Sequence, residues 1–196
     1  MADTITRRHF MLEMHLDLST VDTHALAALC GHLEVMGLAV STLEREAAED
    51  PEAVGRAYQC HMMCRRRQPP AVLRREPIPF DRWRESLVSG PDALLDLFFI
   101  ATRGREFVGV CLLERVQGWP DTLRSGFTGT LPLWGGKGVA KALKAHALLH
   151  AARQGCRRVE TSSLQVNQGM CAINRALGFQ IVRRHLNAYE VPADPR

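Results

Sequence analysis

The chain has no apolar run near the roughly 18 residues that a membrane-crossing helix needs. Its N-terminal basic pair, Arg7-Arg8, is soon followed by Glu13, His15 and Asp17, which interrupt any secretory leader. No repeat or low-complexity segment is present. Neither sign of charge dominates: 25 Lys and Arg against 21 Asp and Glu leave a net charge of +4, with arginines bunched at Arg65-Arg66-Arg67 and Arg74-Arg75. That excess suits an anionic small molecule but is too small to argue for a nucleic-acid partner. The cysteines at 30, 60, 64, 111, 156 and 171 are scattered, and without a leader they read as reduced thiols of a cytoplasmic protein. Cys60-His61-Met62-Met63-Cys64 puts two thiols one helical turn apart. No second Cys/His pair follows at finger spacing, so no metal is expected.

What is present is a globular composition, 46% hydrophobic and 23% charged, sized for one domain with at most a modest extension. Phe10, Leu12, Met14, Leu16 and Leu18 alternate with polar neighbours as in a half-buried strand. Asp22 caps a helix with an apolar face of Leu26, Leu29, Leu33 and Met36, ended by Gly37. Leu38 to Leu43 reads as a strand, Pro51 to Arg65 as a helix, Gln68 to Pro79 as a loop, and Phe80 to Val88 as a short helix. Strands follow at Leu97 to Ala101 and Glu106 to Leu113, turning at Thr102-Arg103-Gly104-Arg105. Val116 to Thr122 reads as a loop, and Arg124 to Leu133 as a strand whose Pro132 suggests an edge, a bulge or a splay. A helix spans Val139 to Arg153, with a buried stripe of Ala140, Leu143, Ala147, Leu148 and Ala151. A strand at Arg158 to Leu164, a helix from Gln168 to Leu177 capped by Asn167, and a strand at Ile181 to Val191 close the chain. The order predicts an α/β fold, a mixed sheet with helices on both faces.

Trp134-Gly135-Gly136-Lys137-Gly138-Val139-Ala140 joins a strand to a helix through glycines. The first helical turn offers unpaired N–H donors and the positive end of the dipole, and glycine lets a ligand approach the backbone. The expected ligand therefore carries a diphosphate. The spacing fits neither the Walker A loop nor the dinucleotide fingerprint.

The stretch Thr128 to Lys144 resembles the acyl-CoA-binding motif of the GNAT superfamily of N-acetyltransferases, [Gln/Arg]-x-x-Gly-x-[Gly/Ala], with Gly138 and Ala140 in the last two fixed places. Thr161, Asn167, Met170, Asn174 and Leu177-Gly178-Phe179 resemble the family's closing strand-helix-strand. The resemblance runs from about Leu97 to Val182 and is looser from Leu38 to Val88. Residues 1–37 resemble a β-α extension, a remnant or edge of a tandem domain, leaving an acyltransferase domain over 38–196. The resemblance implies a splayed sheet and an acetyl-CoA cosubstrate. Its diphosphate would lie on Gly135, Gly136, Lys137, Gly138, Val139 and Ala140. Its pantetheine would run along Thr130, Leu131 and Pro132, and Asn167 and Asn174 would reach the pantetheine or the sulfur. The Leu131 N–H would serve as the oxyanion donor. The implied reaction is direct attack of a primary amine on the thioester in a ternary complex, the acceptor being a small molecule or a peptide.

Three positions depart from the pattern. The motif's first Gln/Arg is Gly135, with Lys137 or Lys141 as substitutes. The family's proton-donating Tyr is Asn174, an amide that donates no net proton. Arg124 to Leu133 carries no carboxylate, leaving Glu114, Glu160 and His146 as candidate bases. Two rival readings follow: a CoA-binding regulatory domain without turnover, and a basic nucleic-acid-binding module. The strand at residues 9–18 pairs either within the chain or with a second copy, which leaves a homodimer open.

Overall fold

The computed structural model describes residues 4–68, 78–90 and 93–192. The basic pair Arg74-Arg75, most of the loop around it and Pro91 lie outside the described residues. In chain order the elements are β1 (Thr4–Asp17), α1 (Thr23–Val35), β2 (Ala39–Thr42), α2 (Leu43–Glu49), α3 (Ala53–Arg65), α4 (Phe80–Arg84), β3 (Phe98–Arg103), β4 (Glu106–Val116), β5 (Trp119–Thr130), α5 (Val139–Arg153), β6 (Arg158–Leu164), α6 (Gln168–Ala176) and β7 (Gln180–Pro192). The strands form one seven-stranded sheet ordered β2-β3-β4-β5-β6-β1-β7. Neighbours are antiparallel except β5 and β6, which run parallel.

Consecutive strand residues face opposite sides of a sheet, and β3 shows what covers each side. Phe98 packs against His61 of α3 and Trp83 of α4, whereas Phe99 packs against His146 and His150 of α5. Helices thus cover both faces, as expected. β4 between them reads Phe-Val-Gly-Val-Cys-Leu-Leu, a run buried throughout, as suits a strand covered on both sides.

Local chemistry sets most boundaries. Leu12, Met14, Leu16 and Leu18 are buried as the period of two requires, whereas Phe10, expected with them, is 39% exposed. The Asp22 side chain accepts from the His24 and Ala25 N–H groups to cap α1, and Gly37 stops it at φ 68°. Residues 4–17, expected as an extension, supply β1, which lies between β6 and β7: Met11 pairs with Leu164, and Thr4 with Pro192.

Four details differ from expectation. Thr42 caps a separate helix, α2, so the helix expected from Pro51 begins at Ala53 after a turn. The expected loop at Val116 to Thr122 is a tight hairpin about Gly118, φ 79°, from which β5 begins at Trp119. β5 ends at Thr130, so Pro132 opens a 3-10 turn over Pro132–Trp134, where its fixed φ is an asset. Helix α5 buries more than a stripe: Val139, Ala142, Leu143, Lys144, Ala145, Ala147, Leu148, Leu149 and Ala151 are all buried, while Ala140 is half-buried.

Candidate active site

The parallel pairing of β5 and β6 runs from Thr122↔Arg158 to Ser125↔Thr161 and stops there, although both strands continue. At the crotch the Thr161 hydroxyl donates to the Ser125 carbonyl at 2.9 Å. Beyond it Gly126 to Thr130 and Ser162 to Leu164 diverge as the walls of a cleft of about 760 Å³. On the β4 side, Leu113↔Ser125 and Cys111↔Thr128 leave Gly126 and Phe127 opposite Leu112 alone, a bulge. Bulges release a residue from the ladder and re-aim its backbone groups, and both of these residues line the cleft.

The glycine loop leads from β5 into α5. Gly136 and Gly138 sit at φ 73° and 81°, the left-handed region that favours glycine. No side chain caps α5. Among the described residues, the first N–H after the loop with a partner is that of Ala142, which donates to the Gly138 carbonyl. The N–H groups from Gly136 to Lys141 are therefore a row of unspent donors at the positive end of a fifteen-residue helix. His32 of α1 fixes the loop, its Nε2 hydrogen-bonding the Lys137 carbonyl at 2.7 Å.

A cation reaches Gly135 from elsewhere in the fold. Arg67, just past α3, brings its guanidinium against Gly135 so closely that a Cβ there would collide with it. Its Nη1 donates to the Leu131 and Pro132 carbonyls, 3.4 Å each. Lys137 and Arg103 lie over the Trp134 ring, 5.5 and 5.8 Å from its centroid. The loop is thus bordered by three cations.

The remaining anticipated residues divide. Thr130, Ala140 and Asn167 line the cleft, and Asn167 also caps α6, accepting from the Met170 N–H at 3.3 Å. Val139 is buried beneath the loop. The Leu131 N–H is not the free donor expected, because it donates to the Val108 carbonyl at 2.8 Å. Asn174 is also turned from the expected role. It is 0% exposed, accepts from the Lys144 ammonium at 2.6 Å and donates to the Met14 sulfur at 3.7 Å. Lys144, which the sequence reading did not single out, reaches the cleft floor.

Of the three candidate bases only Glu114 lines the cleft. Its carboxylate lies against Gly126, where a Cβ would have no room. Burial pushes its pKa up, and Arg124 partly offsets this. Glu160 does not line the cleft and is engaged by Arg124 at 2.6 Å. His146 faces Phe99 under α5, with burial holding its pKa down. Across the cleft, His61 accepts from the Trp83 indole N–H at 3.0 Å, and burial lowers its pKa to about 3, so it stays neutral. Cys60, His61 and Cys64 are core residues here: all six cysteines are free.

Solved structures share this architecture. A GCN5-related N-acetyltransferase from Sphaerobacter thermophilus superposes with a TM-score of 0.66 at 20% identity, covering 96% of this chain and 54% of that one. A tandem GNAT protein from the clavulanic acid biosynthesis pathway gives 0.60 at 18% identity, covering 96% and 55%. The chain spans about half the length of these two. A diaminobutyrate acetyltransferase from Paenibacillus lautus, solved with its substrate L-2,4-diaminobutyric acid and coenzyme A, gives 0.52 at 17% identity, covering 71% and 73%. No curated protein sequence matches the chain. At these identities the likeness speaks for the fold alone; the sequence itself carries the assignment, because residues 60–179, more than half of the chain, match the acetyltransferase (GNAT) family, to which this chain therefore belongs.

Proposed function

We propose that the chain is an acetyl-CoA-dependent N-acetyltransferase of a reducing, cytoplasmic compartment, acting on a primary amine of a small molecule or peptide. The observation that carries this reading is the continuity of the forked β5–β6 cleft with the uncapped start of α5. The N–H groups of Gly136 to Lys141 would take the diphosphate, with Arg67 and Lys137 as charge partners. The pantetheine arm would lie between Thr130 and Asn167, leaving the acyl end at the Gly126–Phe127 bulge. Bound acetyl-CoA supplies the acetyl group as a thioester. The bulge N–H groups, rather than that of Leu131, are the donors for the acetyl carbonyl.

The acceptor would enter beside Trp83 and Leu87, a mainly apolar wall, and meet Glu114 near the crotch. A carboxylate whose pKa is raised by burial is better matched to taking a proton from an ammonium near neutral pH than an exposed one. With the neutral amine held against the acyl carbon, proximity supplies much of the rate.

Thermal unfolding with and without acetyl-CoA tests this. At a ligand concentration of about 100 Kd, binding adds ~2.7 kcal/mol, which at this length raises Tm on the order of 5–10 °C. Gly138→Glu, which places a carboxylate in the cradle, should abolish the rise. An equal rise in that variant overturns the cradle. A rise without CoA release across an amine panel favours the binding domain without turnover.

A further inference from the structure

Lys144 stands one helical turn beyond Ala140 on α5, and both line the cleft. It is 1% exposed. Its ammonium is held by neutral groups: the Asn174 amide oxygen at 2.6 Å and the face of Phe179, 4.8 Å from the ring centroid. The titratable group facing it is the Cys111 thiol of β4, itself kept protonated by burial. None of the ion pairs among the described residues includes Lys144. A buried cation without a carboxylate is costly, and one set in the floor of a cleft is suited to charge that develops there.

Resting on the acyl-CoA reading above, we propose that Lys144 is the catalytic acid for the departing sulfur, held in place by Asn174. As the amine nitrogen bonds to the acetyl carbon, the carbon–sulfur bond breaks and its electron pair goes to sulfur. The Lys144 ammonium passes a proton to that sulfur, giving a thiol and a neutral lysine. Of the two protons the acceptor ammonium gives up, one restores Lys144 through water and the other leaves to solvent. Burial lowers the Lys144 pKa to about 8, near the range of a thiol, so the transfer is nearly balanced in energy. Asn174 is then the positioning residue: its amide oxygen aims Nζ and cannot itself supply the proton.

The test needs no acceptor. CoA is bound to wild-type protein and to Lys144→Met, and the ultraviolet absorbance of its thiolate is followed through a pH titration. The matching desulfo-CoA complexes are subtracted to remove the protein's own thiols. In the wild-type complex the thiolate should form at lower pH than in free CoA, and Lys144→Met should raise that pKa by about one unit or more. Equal titration of the two complexes, with CoA bound in both, overturns the role of Lys144 and leaves the acyl-CoA reading standing. No binding of CoA by wild type overturns both. Should Lys144→Met fail to fold, the wild-type comparison with free CoA decides alone, and an undepressed thiol overturns the proposal.

Discussion

Replacing Lys144 by Met should change stability in a way that depends on pH, and the size follows from its surroundings. Burial takes the ammonium from an ordinary pKa of 10.5 to about 8. At 1.36 kcal/mol per unit, that difference is about 3 kcal/mol. The residue is 1% exposed, so bulk water does little to screen it. Below about pH 8 both folded and unfolded chains hold the proton, and the folded state carries the full cost of a buried charge. Between about 8 and 10.5 the unfolded chain binds more protons, so stability rises with pH; above 10.5 the cost is gone. Met keeps the length and abolishes the ionisation. Urea unfolding of both proteins from neutral to alkaline pH should therefore show the stability of Lys144→Met relative to wild type falling by about 3 kcal/mol across that window. The lost bond to Asn174 and any change in packing are present at every pH, so the slope isolates the charge. A difference that stays constant with pH would refute the reasoning that Lys144 is folded away as a cation.

Three further outcomes are expected. Arg67→Ala should weaken acetyl-CoA binding about tenfold or more, the worth of a charge-assisted contact; an unchanged Kd by calorimetry would remove Arg67 from the cradle. Glu114→Gln should lower kcat by ~10²–10⁴ with the best amine of a panel. The wild-type rate should fall on acidification through a carboxylate pKa held above the ordinary range, and the variant should lack that limb. Burial takes His61 from 6.5 to about 3, so the unfolded chain gains a proton first as pH drops below 6.5. Stability should then fall with acidification by about 1.4 kcal/mol per unit from this group, and His61→Phe should flatten the pH dependence of unfolding by that amount.

The parts of the fold that depend on near neighbours could be read directly. The alternation in β1, the Asp22 and Asn167 caps, the glycine stop at 37, and the passage from glycine loop to α5 all lie within a few residues of their cause. The features that escaped are contacts between distant segments. The guanidinium beside Gly135 belongs to Arg67, brought there by α3, so the motif looked short of a cation that the fold supplies. Leu131 looked free because nothing in its own strand reveals that Val108 accepts its N–H. Lys144 is not among the stripe residues expected for its helix, and nothing in its own segment marks it. It is 1% exposed, with Asn174 of α6 accepting from its ammonium and the Phe179 ring against it. Pro132 suggested an irregular strand, and the strand ends before it instead.

The placement of β1 between β6 and β7 carries a consequence for how the molecule assembles in time. β1 precedes both of its partners, β6 and β7, by most of the sheet, so its edges wait unpaired until those strands have been made. Contacts of such sequence separation slow folding, and a waiting strand with alternating apolar residues is open to wrong partners. The outer prong of the fork, β6, has β1 as its support on the side away from β5. A chain halted after α5 would already hold the glycine loop and yet lack β6, the second wall of the cleft. The cleft is therefore walled only once β6 and β1 have paired, well after the glycine loop has been made.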